Sequence, residues 1–129
     1  MPVAQPTVTL LFILVPLLTT FVGLRLYLHW VNPDADLFIA GHNVHHLYTG
    51  TLLEIPAAFV LAFAVGGPLV RGVALVALGI GSAMVLDQVV YLITTDGSNV
   101  SYLKPVSLWG AVVLIGLAVV LLVILFAAA

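Results

Sequence analysis

The sequence predicts an all-α fold, a four-transmembrane-helix bundle that forms a single membrane domain over residues 1–129. Of these residues 64% are hydrophobic and 6% are Asp, Glu, Lys or Arg, whereas roughly a quarter are charged in an average water-soluble domain. The apolar residues fall into four runs, each long enough for the roughly 20 helical residues that cross a bilayer. Three basic residues and no Cys argue against nucleic-acid binding and exclude disulfides and thiolate ligands.

The first two helices are predicted over residues 7–30 and 33–66. The first run is apolar almost throughout. After it, Asn32 is a residue type that caps helices, Pro33 suits the first helical position, and the carboxylate of Asp34 complements the positive end of the helix dipole. These signals predict that the second helix begins at Pro33 and contains the whole His-rich segment.

The last two helices are predicted over residues 69–94 and 105–126. Two glycines followed by Pro68 end the second helix and open the third. The polar stretch 95–99 forms a turn, and Pro105 suits the first turn of a final helix that carries no charge. Four crossings place both chain termini on one side of the membrane.

Polar side chains from three predicted helices lie at one membrane depth. At about 1.5 Å of rise per residue, Arg25, His46 and Asp87 each lie roughly 27–30 Å from the end of the bundle that holds the termini. His29 follows Arg25 by one helical turn. Glu54 lies deeper, where an ionised carboxylate without a partner is costly. We therefore regard Arg25, His29 and Glu54 as candidate catalytic groups, the last two as general bases.

The segment from His42 to His46 is the sharpest motif. On a helix, His42 and His46 lie one turn apart on one face, and together with Asp87 they form a ligand set typical of zinc or non-haem iron. His45 is a further ligand or a donor to one. Two alternatives stay open: interfacial histidines that bind only carbonyls and water, and an Arg25–Asp87 ion pair in place of metal ligation.

These motifs resemble a group of small prokaryotic four-helix integral membrane proteins of unassigned function. The resemblance covers roughly residues 38–110, with a His-His-x-x-x-Gly segment opening the second helix and an Asp-Glu pair closing the third. The residues that carry it here are His45, His46, Gly50, Asp87, Tyr102, Pro105, Ser107 and Gly110. Gln88 stands where the pattern has Glu, so a mechanism that needs two adjacent carboxylates is not implied. The resemblance implies a fold and a prokaryotic cell membrane, and no activity.

Three functions are compatible with the sequence. The first is a divalent metal centre near one membrane interface, with an enzymatic role on a lipid-like substrate. The second is proton or ion transport through Glu54 and Asp87. The third is an accessory or scaffold subunit that docks through small residues such as Gly79 and Gly81. The expected partners are membrane lipid and either further copies of the chain or a larger membrane complex.

Overall fold

The computed structural model describes residues 5–129, of which 78% are helical. The helices are α1 (Pro6–Leu26, continued by a π-helical turn over Tyr27–Val31), α2 (His46–Ala62), α3 (Pro68–Thr94), α4 (Asn99–Tyr102) and α5 (Pro105–Ala128). Two short strands, β1 (Phe38–Ile39) and β2 (His42–Asn43), form an antiparallel hairpin. Three segments, Pro6–Val31, Pro68–Thr94 and Pro105–Ala128, are long and apolar enough to cross a membrane. The chain is therefore compatible with a membrane protein.

Helix α3 is the central element, because α1, α2 and α5 all pack against it. Small residues allow these close approaches. A Cβ added at Gly81 would lie 2.7 Å from the Gly50 carbonyl oxygen of α2, and one added at Gly79 would collide with the Ile13 carbonyl of α1. The small-residue patch predicted on the third helix is thus used within the chain. A core of Leu17, Ala83 and Ile115 joins α1, α3 and α5.

The predicted start of the second helix at Pro33 is wrong. Residues 32–45 form a loop that contains the β-hairpin, and α2 begins only at His46. The hairpin turn has positive φ at Ala40 (51°) and Gly41 (81°), the backbone geometry of a tight two-residue hairpin turn. Asn32 does bind a backbone N–H, that of Asp34 at 3.3 Å, but the interaction closes a local turn and is not followed by a helix.

Helix α2 also ends earlier than the predicted residue 66. Its last residue is Ala62, and the chain then passes through Ala64 (φ 51°) and Gly66 (φ 81°), both in the left-handed region that terminates helices. With 17 residues, α2 is shorter than the three helical segments that are long and apolar enough to cross a membrane. We call the end of the bundle formed by residues 32–45 and 95–104 the hairpin end.

Candidate functional site

Asp87 is the centre of a buried polar network at the hairpin end. It lies on α3 and is completely shielded from solvent. Its Oδ1 accepts a hydrogen bond from Arg25 Nε at 2.6 Å, and its Oδ2 lies 2.8 Å from His46 Nε2. The Tyr102 hydroxyl also donates to Oδ2. A buried carboxylate needs partners of this kind, because its charge is otherwise costly.

Arg25 ties α1 to this network and to the start of α5. Its guanidinium also donates to three carbonyl oxygens and to a hydroxyl: Tyr102 O at 3.1 Å, Asp87 O at 3.2 Å, Ser107 O at 3.3 Å and Ser107 Oγ at 3.2 Å. Its Cζ lies 4.1 Å from the centre of the Tyr102 ring, within the range of a cation–π contact. The guanidinium of Arg25 is therefore occupied by contacts within the protein. The ion pair between Arg25 and Asp87, one of the alternatives left open by the sequence, is present in the structure.

His46 is the first residue of α2, and Asp87 determines which of its nitrogens carries the proton. Because Asp87 pairs with Arg25 and accepts from Tyr102, Nε2 of a neutral His46 is the protonated donor to Oδ2. The other nitrogen, Nδ1, has no hydrogen-bond partner within residues 5–129. Every buried nitrogen and oxygen of the described side chains has a partner, so Nδ1 is not buried. Nδ1 is therefore an accessible proton acceptor.

Tyr102 closes the network from the short helix α4. Its side chain is buried, and its ring meets those of His46 and Tyr91 edge-on, at centroid distances of 5.8 and 5.3 Å. Burial, reinforced by the neighbouring Asp87 carboxylate, raises the pKa of the Tyr102 hydroxyl above its ordinary value of 10.0. Tyr102 therefore stays protonated and remains a donor to Asp87.

Gln88 positions the start of α2. Its Oε1 accepts the backbone N–H of Leu47 at 2.7 Å, one of the N–H groups that lack a partner inside the helix. The Gln88 side chain on α3 thus caps the N-terminus of α2 and holds His46 against Asp87. This role explains why a polar residue follows Asp87 in the sequence. For this hydrogen bond the side chain needs only an acceptor oxygen.

A cavity of about 300 Å³ lies beneath the hairpin, next to the network. The residues that line it include His45, His46, Gln88, Tyr91 and Tyr102. The remaining lining residues are Leu28, Pro33, Ala35, Asp36, Leu37, Asn43, Val44, Thr49, Met84 and Asn99. Its volume is near the lower end of ligand-binding pockets, so it suits a small polar molecule or the head of a larger one.

Asp36 joins the hairpin to α4 over this cavity. Its Oδ1 accepts from Asn43 Nδ2 at 2.9 Å and its Oδ2 from Asn99 Nδ2 at 3.0 Å. Phe38 and Ile39 of β1 are 62% and 57% exposed. Polar groups therefore face the cavity from a loop whose exposed surface is typical of a membrane interface.

The predicted metal ligands are not brought together as expected. His42 lies exposed on β2 and not on α2, so the prediction that His42 and His46 share a helix face is wrong. Asp87 is buried and engaged by Arg25, His46 and Tyr102. Within residues 5–129, no group of three or more His, Cys, Asp or Glu side chains could hold a metal ion.

The other predicted residues lie in different surroundings. His45 lines the cavity, 6.0 Å from the Tyr91 ring centre. His29 is exposed next to Trp30 and does not line the cavity. Glu54 lies between α2 and α3, where Ser82 Oγ donates to its Oε1 at 2.9 Å, and it too is outside the cavity lining. Glu54 and His29 are therefore not placed to act on a ligand in this cavity.

Three residues of the site, Gln88, Tyr102 and Ser107, have no functional role in the sequence-based prediction. The signal for Ser107 was its position two residues after Pro105 at the start of a helix, level with Arg25. The contacts of Tyr102 and Gln88 depend on α4 and on the true start of α2, which the sequence pattern did not indicate.

Comparison with known proteins gives no match to a family model, to a curated protein or to a solved structure. The assignment of a function therefore depends on the site itself.

Proposed function

We propose that this protein is a multi-pass integral membrane protein that binds a small polar group at the hairpin end, and that His46 accepts a proton from that group. The observation that carries the proposal is the position of His46. Its Nε2 is bound to the buried Asp87 at 2.8 Å, and the same side chain lines the cavity. A histidine oriented by a carboxylate, with its second nitrogen accessible, has the arrangement of a general base.

Each neighbour of His46 has a defined part in this proposal. Asp87 fixes the tautomer and the ring orientation of His46, as a carboxylate partner does for many catalytic histidines. Arg25 holds Asp87 through Oδ1, and Tyr102 donates to Oδ2 next to His46. Gln88 fixes the first turn of α2. A ligand O–H or N–H group that binds in the cavity transfers its proton to Nδ1 of His46. Nε2 keeps its own proton, which stays hydrogen-bonded to Asp87.

The location supports a membrane amphiphile as the molecule that carries this group. The cavity lies at the hairpin end, and Phe38 of the hairpin and Trp30 at the end of the first helical segment are 62% and 74% exposed. Aromatic side chains are enriched at the membrane–water interface. The polar head of a lipid-like molecule can therefore reach the cavity while its apolar part stays in the bilayer.

We also propose that α2 makes a fourth membrane crossing. Its 17 residues span about 26 Å, somewhat less than a hydrocarbon core of about 30 Å. Because the chain has no Cys, single cysteines at Ile39, Val65 and Asp96 can be labelled with an impermeant maleimide in oriented vesicles. A crossing α2 places Ile39 and Asp96 on the same side and Val65 on the other. Labelling of Ile39 and Val65 from the same side would contradict the crossing.

The proton-transfer role is tested with purified protein in vesicles of phosphatidylethanolamine and phosphatidylglycerol and, for comparison, in detergent micelles without lipid. The imidazole ¹⁵N signals are recorded for the wild type, for His46→Gln, which identifies the signals of His46, and for the matched control His42→Gln, which alters an exposed histidine on the hairpin. We expect His46 Nδ1 to be protonated in the vesicles and unprotonated in the micelles, for the wild type and for His42→Gln alike. The same protonation of Nδ1 in vesicles and in micelles would contradict proton transfer from a lipid headgroup to His46.

A further inference from the structure

The cavity beneath the hairpin has an unbalanced negative charge. Among the residues that line it, Asp36 is the only Asp or Glu, and there is no Lys or Arg. The two ion pairs within residues 5–129 both involve Asp87, so Asp36 has no cationic partner there. The cavity therefore favours a ligand with a positive charge over an anion.

The carboxylate of Asp36 is held in place by neutral groups that leave part of its hydrogen-bonding capacity open. Each oxygen accepts one hydrogen bond, from the amide of Asn43 or of Asn99. An ionised carboxylate has about four acceptor positions, so about two are available to a ligand. The two amides orient the carboxylate without neutralising it, an arrangement suited to recognition of a cation.

The cationic side chains of the chain do not compete for this position. Arg25 is bound to Asp87 and to carbonyl oxygens around it, and Arg71 and Lys104 are outside the cavity lining. Tyr91 also lines the cavity, but it is only 1% exposed and its ring packs against those of His45 and Tyr102. The contact that the cavity offers to a cation is therefore the carboxylate of Asp36.

We propose that the polar group bound in this cavity is a primary ammonium, whose N–H groups donate to the carboxylate of Asp36. The inference rests on the binding site of the proposed function and names its ligand class. A volume of about 300 Å³ admits a small amine or an aminoalkyl head, while an attached acyl chain stays outside. The ammonium has two sources, a free small amine or the head of an aminophospholipid.

The test follows the side-chain amide signals of Asn43 and Asn99 by NMR on the full-length protein in detergent micelles. The probes are ethanolammonium chloride, its neutral counterpart ethylene glycol, and the anion glycolate. We expect saturable shifts with ethanolammonium and none with the other two. Asp36→Asn should weaken the response at least about tenfold, as expected for loss of a charge-assisted hydrogen bond, and the matched exposed acid Asp34 should tolerate Asp34→Asn without loss.

A second set of samples separates the two sources of the ammonium. The same amide signals are recorded in nanodiscs of phosphatidylglycerol alone, and with either phosphatidylethanolamine or phosphatidylcholine added. Shifts with phosphatidylethanolamine alone identify the lipid head, since a choline head has no N–H donor. Shifts with soluble ethanolammonium but with neither lipid identify a free amine. Both results support the proposal.

Two results would overturn the ammonium assignment. The first is an equal response of the wild type to ethylene glycol or glycolate, which leaves the cavity and His46 as a binding site for another chemistry. The second is the absence of any response to ethanolammonium and to phosphatidylethanolamine. The comparison of probes on the wild type decides the question even if Asp36→Asn disturbs the hairpin. The protonation of His46 Nδ1 is read separately, so failure of the ammonium assignment and failure of the proton-transfer role are distinguishable.

Discussion

Replacement of Asp87 by Asn should be among the most destabilising isosteric changes in this protein. The carboxylate is fully buried and accepts from Arg25, His46 and Tyr102. An amide keeps the shape but loses the charge, and its NH₂ group faces one of these donors. Arg25, whose side chain is only 12% exposed, is then left as a buried cation with neutral partners alone.

The size of the effect follows from the contacts that survive. Removal of one partner of a buried ion pair costs about 3–5 kcal/mol. Arg25 keeps its hydrogen bonds to the carbonyl oxygens of Tyr102, Asp87 and Ser107, so we expect a value near the lower limit, about 3 kcal/mol. Arg25→Met should also destabilise. The double variant should cost less than the sum of the two, because neither charge is then left unpaired.

The assay is reversible unfolding in mixed detergent micelles, followed by circular dichroism, for the wild type, both single variants and the double variant. Asp34→Asn is the control, since Asp34 is exposed and should change the free energy of unfolding by no more than about 0.5 kcal/mol. Additive losses in the double variant, or a loss for Asp87→Asn as small as for the control, would refute the reasoning.

Three further predictions concern packing, capping and ionisation. Gly50→Ala should destabilise the fold, because the new Cβ would lie 2.7 Å from the Gly81 oxygen, whereas Gly116→Ala meets nothing within 4 Å and should stabilise it by about 0.5–1 kcal/mol; equal effects in unfolding experiments would contradict the close contact. Gln88→Leu should speed hydrogen exchange at the Leu47 amide by removing its acceptor, while Gln88→Glu keeps an acceptor and should protect that amide; loss of protection in both variants would argue against capping. Because the pKa of Tyr102 is raised above its unfolded value of 10.0, the contribution of the neutral hydroxyl to stability is complete below pH 10 and is lost as the pH rises beyond it; alkaline unfolding should therefore be shallower in Tyr102→Phe, and identical pH profiles would show that Tyr102 is not buried next to Asp87.

The long apolar helices could be predicted closely from the sequence. The predicted helices 69–94 and 105–126 are observed as Pro68–Thr94 and Pro105–Ala128, because a Pro at the first helical position and an uninterrupted apolar run are local signals. The second helix could not be delimited in this way. Its start depends on the Gln88 side chain from another helix and on the hairpin turn at Gly41, and neither signal outweighed the cap-like Asn32-Pro33 pair.

The depth of the candidate site in the membrane could be predicted from the sequence, but its contacts could not. Counting residues from the end of the bundle that holds the termini placed Arg25, His46 and Asp87 at one level, and the structure joins all three by hydrogen bonds. The count succeeded because residues 46–62 are helical as expected. It failed for His42, since four residues span one turn only inside a helix. The polar residues at one depth predict a polar pocket at this end of the bundle, but its lining depends on the hairpin, which the sequence pattern did not indicate.

The most direct test of the proposed site is the protonation pattern of the His46 imidazole, read from long-range ¹H–¹⁵N correlations of labelled protein in micelles. With Asp87 in place, neutral His46 should carry its proton on Nε2 and leave Nδ1 as the acceptor. In Asp87→Asn, the preference for this tautomer should decrease. A proton on Nδ1 in the wild type, or a tautomer that does not respond to Asp87→Asn, would contradict the proposed role of His46.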